Sequence, residues 1–406
     1  MENPLKIKSR KKLLLRLSPL LLAVVLLPVL LTGCVRGMTP IGWSGALIDD
    51  GKMYVGSREG RLVSLSSVDS SGHWADPLFA DQLKNAASGS ACSTGSSTGG
   101  ACGGAAPVVA IYGTPAVANN IPTYGSLVYL AGYNGKIYAY DVSSSSSIQL
   151  VWQYPVDTNL SPIVSSIVVA NNMIYFGDSD KNVYALDAAK GLLVWKFTTG
   201  GEIWSTPAVD ANTLVISSFD KKVYGLDAIS GQKKWEFATK STNVAPPVIF
   251  NGQVYVGSLD QYIYALNETD GKLVWSFKGG NWFWARPYLY SGVIYAPNLD
   301  GNVYALNAAS GKLVSTYDVG GQVASWPTAA GNQIVVATEN KSLYALDTTS
   351  TNGGKKLIGN IPAEVTSPLT ASGDIVYVPG PDLNIYPFNV ATGQALSAIS
   401  IKSPTQ

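Results

Sequence analysis

The chain of 406 residues carries 28 Lys and Arg against 27 Asp and Glu, a formal net charge of +1, with one histidine and three cysteines. Its first 33 residues hold six of the basic residues and one acid, so the remainder has 22 against 26, a net of −4, and offers no basic surface to follow a nucleic-acid backbone. A lone histidine, His73, leaves histidine triads, zinc sites and haem ligation poorly supported.

In chain order the leader comes first. Lys6, Lys8, Arg10, Lys11, Lys12 and Arg16 precede an apolar run from Leu17 to Leu31 that ends in Leu31-Thr32-Gly33-Cys34. Positive, apolar, then small residues mark a secretory signal over 1–33. The run also approaches membrane-spanning length, so an uncleaved anchor is the competing reading. Leu-Thr-Gly-Cys resembles the bacterial lipobox, which implies lipid on Cys34, a tether over 34–42 and an envelope location outside the cytoplasmic membrane.

From residue 43 to 401 the chain repeats. Val183-Tyr184-Ala185-Leu186-Asp187 returns at steps of 40 residues, starting at Val223, Ile263, Val303 and Leu343. Looser copies at Leu62 to Ser66, Ile137 to Asp141 and Ile385 to Asn389 bring the total to eight. A second position, four residues before each tyrosine-equivalent site, reads Glu59, Asn134, Asp180, Asp220, Asp260, Asp300, Asn340 and Asp382. Short Asx side chains bond nearby backbone and tolerate left-handed conformations, which suits a turn.

One repeat divides into four short segments rich in β-branched and aromatic residues. They open at Pro207-Ala208-Val209, Leu214 to Ser218, Lys222 to Asp227 and Lys233 to Phe237. No window reads as an amphipathic helix. Four strands in each of eight repeats predict an all-β chain folded as a single eight-bladed β-propeller, with each blade contiguous in sequence and residues 402–406 as a tail.

Between the first and second copies lie 35 extra residues, and 80–107 is a Gly- and Ser-rich insertion holding Cys92 and Cys102. In an exported protein this pair is expected to form a disulfide, with metal or redox chemistry as the alternative; no histidine or further cysteine accompanies it.

After each tyrosine phrase a further pattern follows. Ala185-x-Asp187-x-x-x-Gly191-x-x-x-Trp195 returns as Gly225, Asp227, Gly231 and Trp235, and as Ala265, Asn267, Gly271 and Trp275; Trp152 and Trp74 end two imperfect copies. Asp or Asn bonds the turn, Gly takes positive φ, and Trp buries a flat face between neighbouring blades. These are structural roles.

The pattern resembles the tryptophan-docking repeat of the pyrroloquinoline quinone (PQQ) type propellers. The resemblance spans nearly all of 43–401, although Ser315, Leu357 and Ser397 replace the tryptophan in the last three blades. That family divides into PQQ- and calcium-dependent oxidoreductases and non-catalytic lipoproteins of the BamB type. The chain lacks the adjacent cysteine pair many of those enzymes carry, and it has no Cys-x-x-Cys-His haem attachment. The resemblance therefore implies a non-catalytic envelope scaffold that works as a monomeric propeller within a complex, holds no cofactor or metal, and binds other envelope proteins or peptides. A PQQ-dependent oxidoreductase with calcium, or a ligand-sensing propeller, is the alternative.

Where the repeat is broken, function has room. Aligning the prolines that open inner strands places Tyr112, Trp204 and Trp284 in one slot, with Trp282, Phe283, Arg286 and Trp326 nearby, while Val244 and Ala324 occupy that slot in other blades. Packed on one another, these aromatics would plug the mouth of the central channel. With Arg286 as anion anchor, they would form a site that grips a peptide or planar ligand.

Overall fold

A computed structural model describes residues 42, 44–69, 72–84, 108–362 and 364–404. The leader with Cys34, the Cys92 and Cys102 pair and the low-complexity part of the insertion lie outside the described residues. Ile41–Gln406 forms one compact unit.

Eight antiparallel sheets follow one another along the chain. Seven are simple four-stranded meanders, and the eighth adds a short fifth strand. Blade 4 runs Ala208–Asp210, Thr213–Ser217, Lys222–Asp227 and Lys233–Ala238 from inside to outside, within a residue or so of the boundaries expected from sequence. The eight inner strands are Ala46–Asp49, Ala116–Ile121, Val168–Ala170, Ala208–Asp210, Val248–Phe250, Tyr288–Tyr290, Thr328–Ala330 and Thr370–Ser372. The protein is an eight-bladed β-propeller.

The third strand of each blade explains the repeated phrase. Val183, Tyr184, Ala185 and Leu186 are all buried, because a blade in a ring is covered on both sheet faces. An uninterrupted apolar run, not an alternating one, is what such a strand requires. The core is correspondingly divided into clusters that lie between neighbouring blades: Tyr175 and Ile203 pack with Ile216 and Tyr224, for example, and Tyr255 and Phe283 with Ala296 and Leu306. In six blades the register between third and fourth strands slips by a bulge, as between Ala185 and Leu186.

The tyrosine of the phrase and the turn acid hold each other. Tyr224 Oη donates to Asp220 at 2.6 Å and Tyr264 Oη to Asp260 at 2.7 Å, with the same pairing at Tyr304 and Asp300 and at Tyr386 and Asp382. Blade 3 departs from this: Tyr184 Oη reaches the buried Asp178 at 2.9 Å, not Asp180. Asp220 also accepts the N–H groups of Gly200 and Lys222, at 2.7 and 3.0 Å. One carboxylate thereby ties the incoming loop, the turn and the third strand together.

The ring closes without exchanging strands between termini. Ala46, Met53 and Leu65 of blade 1 share a core with Ile375, Tyr377 and Ile401 near the C-terminus. The Arg58 guanidinium donates to the Pro381 carbonyl, and Glu59 accepts the Ser403 N–H at 2.9 Å. Within the insertion, Lys84 bridges to Val108, so the described ends of the insertion stand side by side.

Candidate functional site

Blades 2 to 7 are each entered by a loop running from the outer strand of the preceding blade, and that loop is stitched to the turn between second and third strands. The Phe219 N–H donates to the Glu202 carbonyl at 3.1 Å, Leu299 to Trp282 at 3.0 Å and Glu339 to Gln322 at 2.9 Å. These loops and turns form one face of the ring, and the predicted aromatic residues belong to its entry loops.

Backbone alternation sorts them. Successive side chains of an extended segment point to opposite sides, so Trp282, Trp284 and Arg286 keep solvent contact while Phe283 and Ala285 are 1 % exposed. Phe283 is therefore not on the mouth: it fills the seam between blades 5 and 6, packing on Tyr304 at 6.1 Å beneath Gly257, where an added Cβ would stand 2.6 Å from it. Tyr112 is likewise buried, tilted against Tyr133 at 5.2 Å, and burial pushes its phenol up to about 12, with Tyr133 adding to the shift and Arg58 opposing it. Trp204 is half-buried against Phe219 at 4.7 Å. Trp282 and Trp326 are also half-buried. Tyr133, Phe219, Glu202 and Arg58 join this face although sequence alignment of the inner strands does not reach them; aligning the turns after the second strands would have found three of the four.

Glu202 stands with its carboxyl pKa raised, because burial disfavours the charge more than the Trp204 indole and Lys181 favour it. The buried Trp204 Nε1 itself has no acceptor within hydrogen-bonding geometry, so its influence on Glu202 is through proximity.

Deeper in, the strand registers align one residue of each blade just before its inner strand: Gly45, Thr114, Ser166, Thr206, Pro246, Arg286, Trp326 and Pro368. Blades 2 to 4 lace this ring with hydrogen bonds, the Thr114 N–H donating to Ser166 Oγ at 2.9 Å and the Ser166 N–H to Thr206 Oγ1 at 3.1 Å. The lacing stops at Pro246. Blades 6 and 7 instead place the two large residues of the ring side by side, Arg286 and Trp326.

Arg286 combines an accessible surface with a guanidinium pKa pushed down by desolvation. Both follow if the side chain stands in water at the mouth with protein crowded around it. Among the described residues it makes no ion pair and no hydrogen bond.

The outer tryptophans lie elsewhere, at the blade seams. Trp195, Trp235 and Trp275 donate their indole N–H to the carbonyls of Ala228, Glu268 and Ala308 in the next blade, at 2.9, 2.7 and 2.9 Å. Trp152 covers Gly191 in the same manner, but its Nε1 is buried without an acceptor. Trp74 reaches backward instead, donating to Tyr377 Oη of blade 8 at 3.3 Å across the ring closure. In blade 6, where Ser315 replaces the tryptophan, Tyr317 fills the seam and donates to the Asp347 carbonyl at 2.8 Å. His73 is exposed beside Asp69, with Nδ1 at 2.7 Å from its carboxylate.

The sequence pattern of the family described as outer membrane protein assembly factor BamB matches residues 48–197, 105–256, 179–282 and 260–406, so that it spans nearly the whole propeller. The chain belongs to this family. Among curated proteins none matches the sequence. Among solved structures, the computationally designed Ika8 protein superposes with a TM-score of 0.65 at 14% identity, covering 86% of this chain and 97% of its own. BamB from Moraxella catarrhalis gives 0.59 at 16% identity over 73% and 92%, and Sqt1 from Saccharomyces cerevisiae gives 0.60 at 15% over 70% and 84%. Identities this low speak for the fold alone; the BamB family match is what ties the sequence to relatives. Among the described residues no three of His, Cys, Asp and Glu come together as a group that could hold a metal ion.

Proposed function

We propose that the protein is a non-catalytic, lipid-anchored scaffold of the bacterial cell envelope that binds partner proteins through the turn face of its propeller, in the context of outer-membrane β-barrel assembly. The observation that carries this reading is the BamB family match across 48–406. The lipobox at Leu31-Thr32-Gly33-Cys34 supports lipid attachment at Cys34 and an envelope location. The aromatic mouth, with Trp204, Trp282 and Trp284 half-buried around it, supports the turn face as the contact surface, because half-buried aromatics present large rigid area at low entropic cost.

The test is capture of partners from native membranes by the tagged full-length protein. Substituting Trp204, Trp284 and Arg286 together weakens capture if the mouth is the contact surface, and undiminished capture removes that assignment. Cys34→Ser abolishes incorporation of labelled fatty acid if the lipobox is used. Titrating PQQ with calcium into the purified protein decides the alternative: stoichiometric binding with dye-linked oxidation of an alcohol or sugar would replace the scaffold by an oxidoreductase.

A further inference from the structure

The ring just before the inner strands is asymmetric in a way that bears on charge. On the side of blades 2 and 3 the N–H groups of Thr114 and Ser166 are consumed by hydroxyls of the following blade, and the chain of hydroxyls ends at Thr206, which faces Pro246. On the side of blades 6 and 7 the following blade offers an indole or a proline in place of a hydroxyl, and the N–H groups of Arg286 and Trp326 find no acceptor among the described residues. The Arg286 guanidinium, also unpartnered, shares this sector with them. Two backbone donors and one full positive charge therefore share a sector where no acceptor among the described residues takes them, flanked by the half-buried indoles of Trp284 and Trp326.

A guanidinium that stands in water with protein crowded around it attracts an anion more strongly than one on an open surface, and its planar fork matches a carboxylate through two parallel N–H bonds. The flanking indoles suit an apolar or aromatic body, since their faces are flat and otherwise partly wet.

We propose that Arg286, with the flanking Trp284 and Trp326, forms a carboxylate-binding site at the channel mouth, taking a ligand whose carboxylate adjoins an apolar or aromatic body. This deepens the scaffold reading, and rests on it for the mouth being a contact surface. A free organic acid and the C-terminus of a polypeptide share this chemistry.

The test uses the full-length protein in detergent and the quenching of its tryptophan fluorescence. The probes are N-acetylphenylalanine and a blocked Ala-Ala-Phe tripeptide, each as free acid and as C-terminal amide. The free acid of at least one pair binds about tenfold more tightly than its amide, the size expected for a charge-assisted pair. Which acid binds identifies the source: the tripeptide acid points to a chain terminus, and N-acetylphenylalanine alone to a small free acid. Arg286→Gln brings the acid to the level of the amide, Arg286→Lys keeps part of the difference, and both variants melt at the wild-type temperature. Equal binding of acid and amide, no binding of any probe, or wild-type acid binding by Arg286→Gln overturns the proposal. The scaffold reading fails separately, when the mouth variants leave partner capture unchanged whatever the probes do.

Discussion

The indole of Trp195 lies where a side chain on Gly231 would have to stand: a Cβ built on Gly231 comes within 2.6 Å of the ring. The same contact joins Trp152 to Gly191, Trp235 to Gly271 and Trp275 to Gly311. Each of these glycines also has positive φ, between 67° and 72°. The repeated Gly and Trp therefore form one device, in which the glycine both turns the chain and leaves the seam open for the tryptophan of the preceding blade.

Separating those two roles gives the first prediction. Gly252 has a φ of 72° with nothing near its missing Cβ, so Gly252→Ala carries only backbone strain, about 1 kcal/mol. Gly231→Ala meets the same strain and the Trp195 ring, and is expected to cost about 2 kcal/mol more. Denaturant titration of both variants, and of Gly231→Ala with Trp195→Ala, checks this. Equal losses at the two glycines would show that the indole yields freely.

Blade 6 predicts a displaced hot spot. Tyr317 is 1 % exposed and bonds to the next blade, whereas Leu357, at the tryptophan position of blade 7, is 51 % exposed. Tyr317→Ala should cost about 3–5 kcal/mol, Tyr317→Phe about 1 kcal/mol, and Leu357→Ala no more than about 0.5 kcal/mol. Urea unfolding midpoints order the three.

Asp220 predicts a local anchor. It accepts hydrogen bonds from Gly200 N–H, Lys222 N–H and Tyr224 Oη, and Asp220→Ala strips all three. We expect a loss on the order of 3 kcal/mol. Tyr224→Phe, which removes one of them, should lose about half as much. Amide exchange would show the added opening in the loop around Gly200; unchanged exchange there would contradict the linkage.

The buried phenols predict how the fold fails in alkali. Burial, the first cause in each case, raises Tyr54, Tyr112, Tyr255 and Tyr304 to about 12. A raised folded-state pKa means that the folded chain holds protons the unfolded chain releases, so stability is full below the ordinary tyrosine value of about 10 and falls as pH rises toward 12. Phenolate absorbance should therefore appear together with loss of the β-sheet circular dichroism. Phenolate forming well before unfolding would contradict the burial.

How much of this was legible beforehand differs between the blades and the mouth. Val183 to Asp187 and its repeats announce the third strands because those strands are buried on both faces, and Asp220 announces its turn because the turn is local. Phe283 misled because it sits between two tryptophans that do keep solvent contact. Its place in the seam is set by alternation and by the space above Gly257 in the neighbouring blade. Tyr317 was silent because Ser315 marked the tryptophan as missing, and only the packed seam shows that a residue two positions on can reach the same gap. In blade 7 Leu357 is exposed, and Ile358, one position on, is the residue buried with Ala345 and Phe388 in the seam.

The sequence by itself determined the number of blades, their strand order and the glycine turns, because each blade is encoded by about 40 consecutive residues whose pattern of burial repeats. The tertiary structure decided what happens between blades. It joined Arg58 to Pro381 across 323 positions of chain, and set Arg286 and Trp326 at matching positions of neighbouring blades, beyond the point where the lacing of the ring gives out. Those contacts depend on residues that become neighbours only when the ring closes, and no local periodicity carries them.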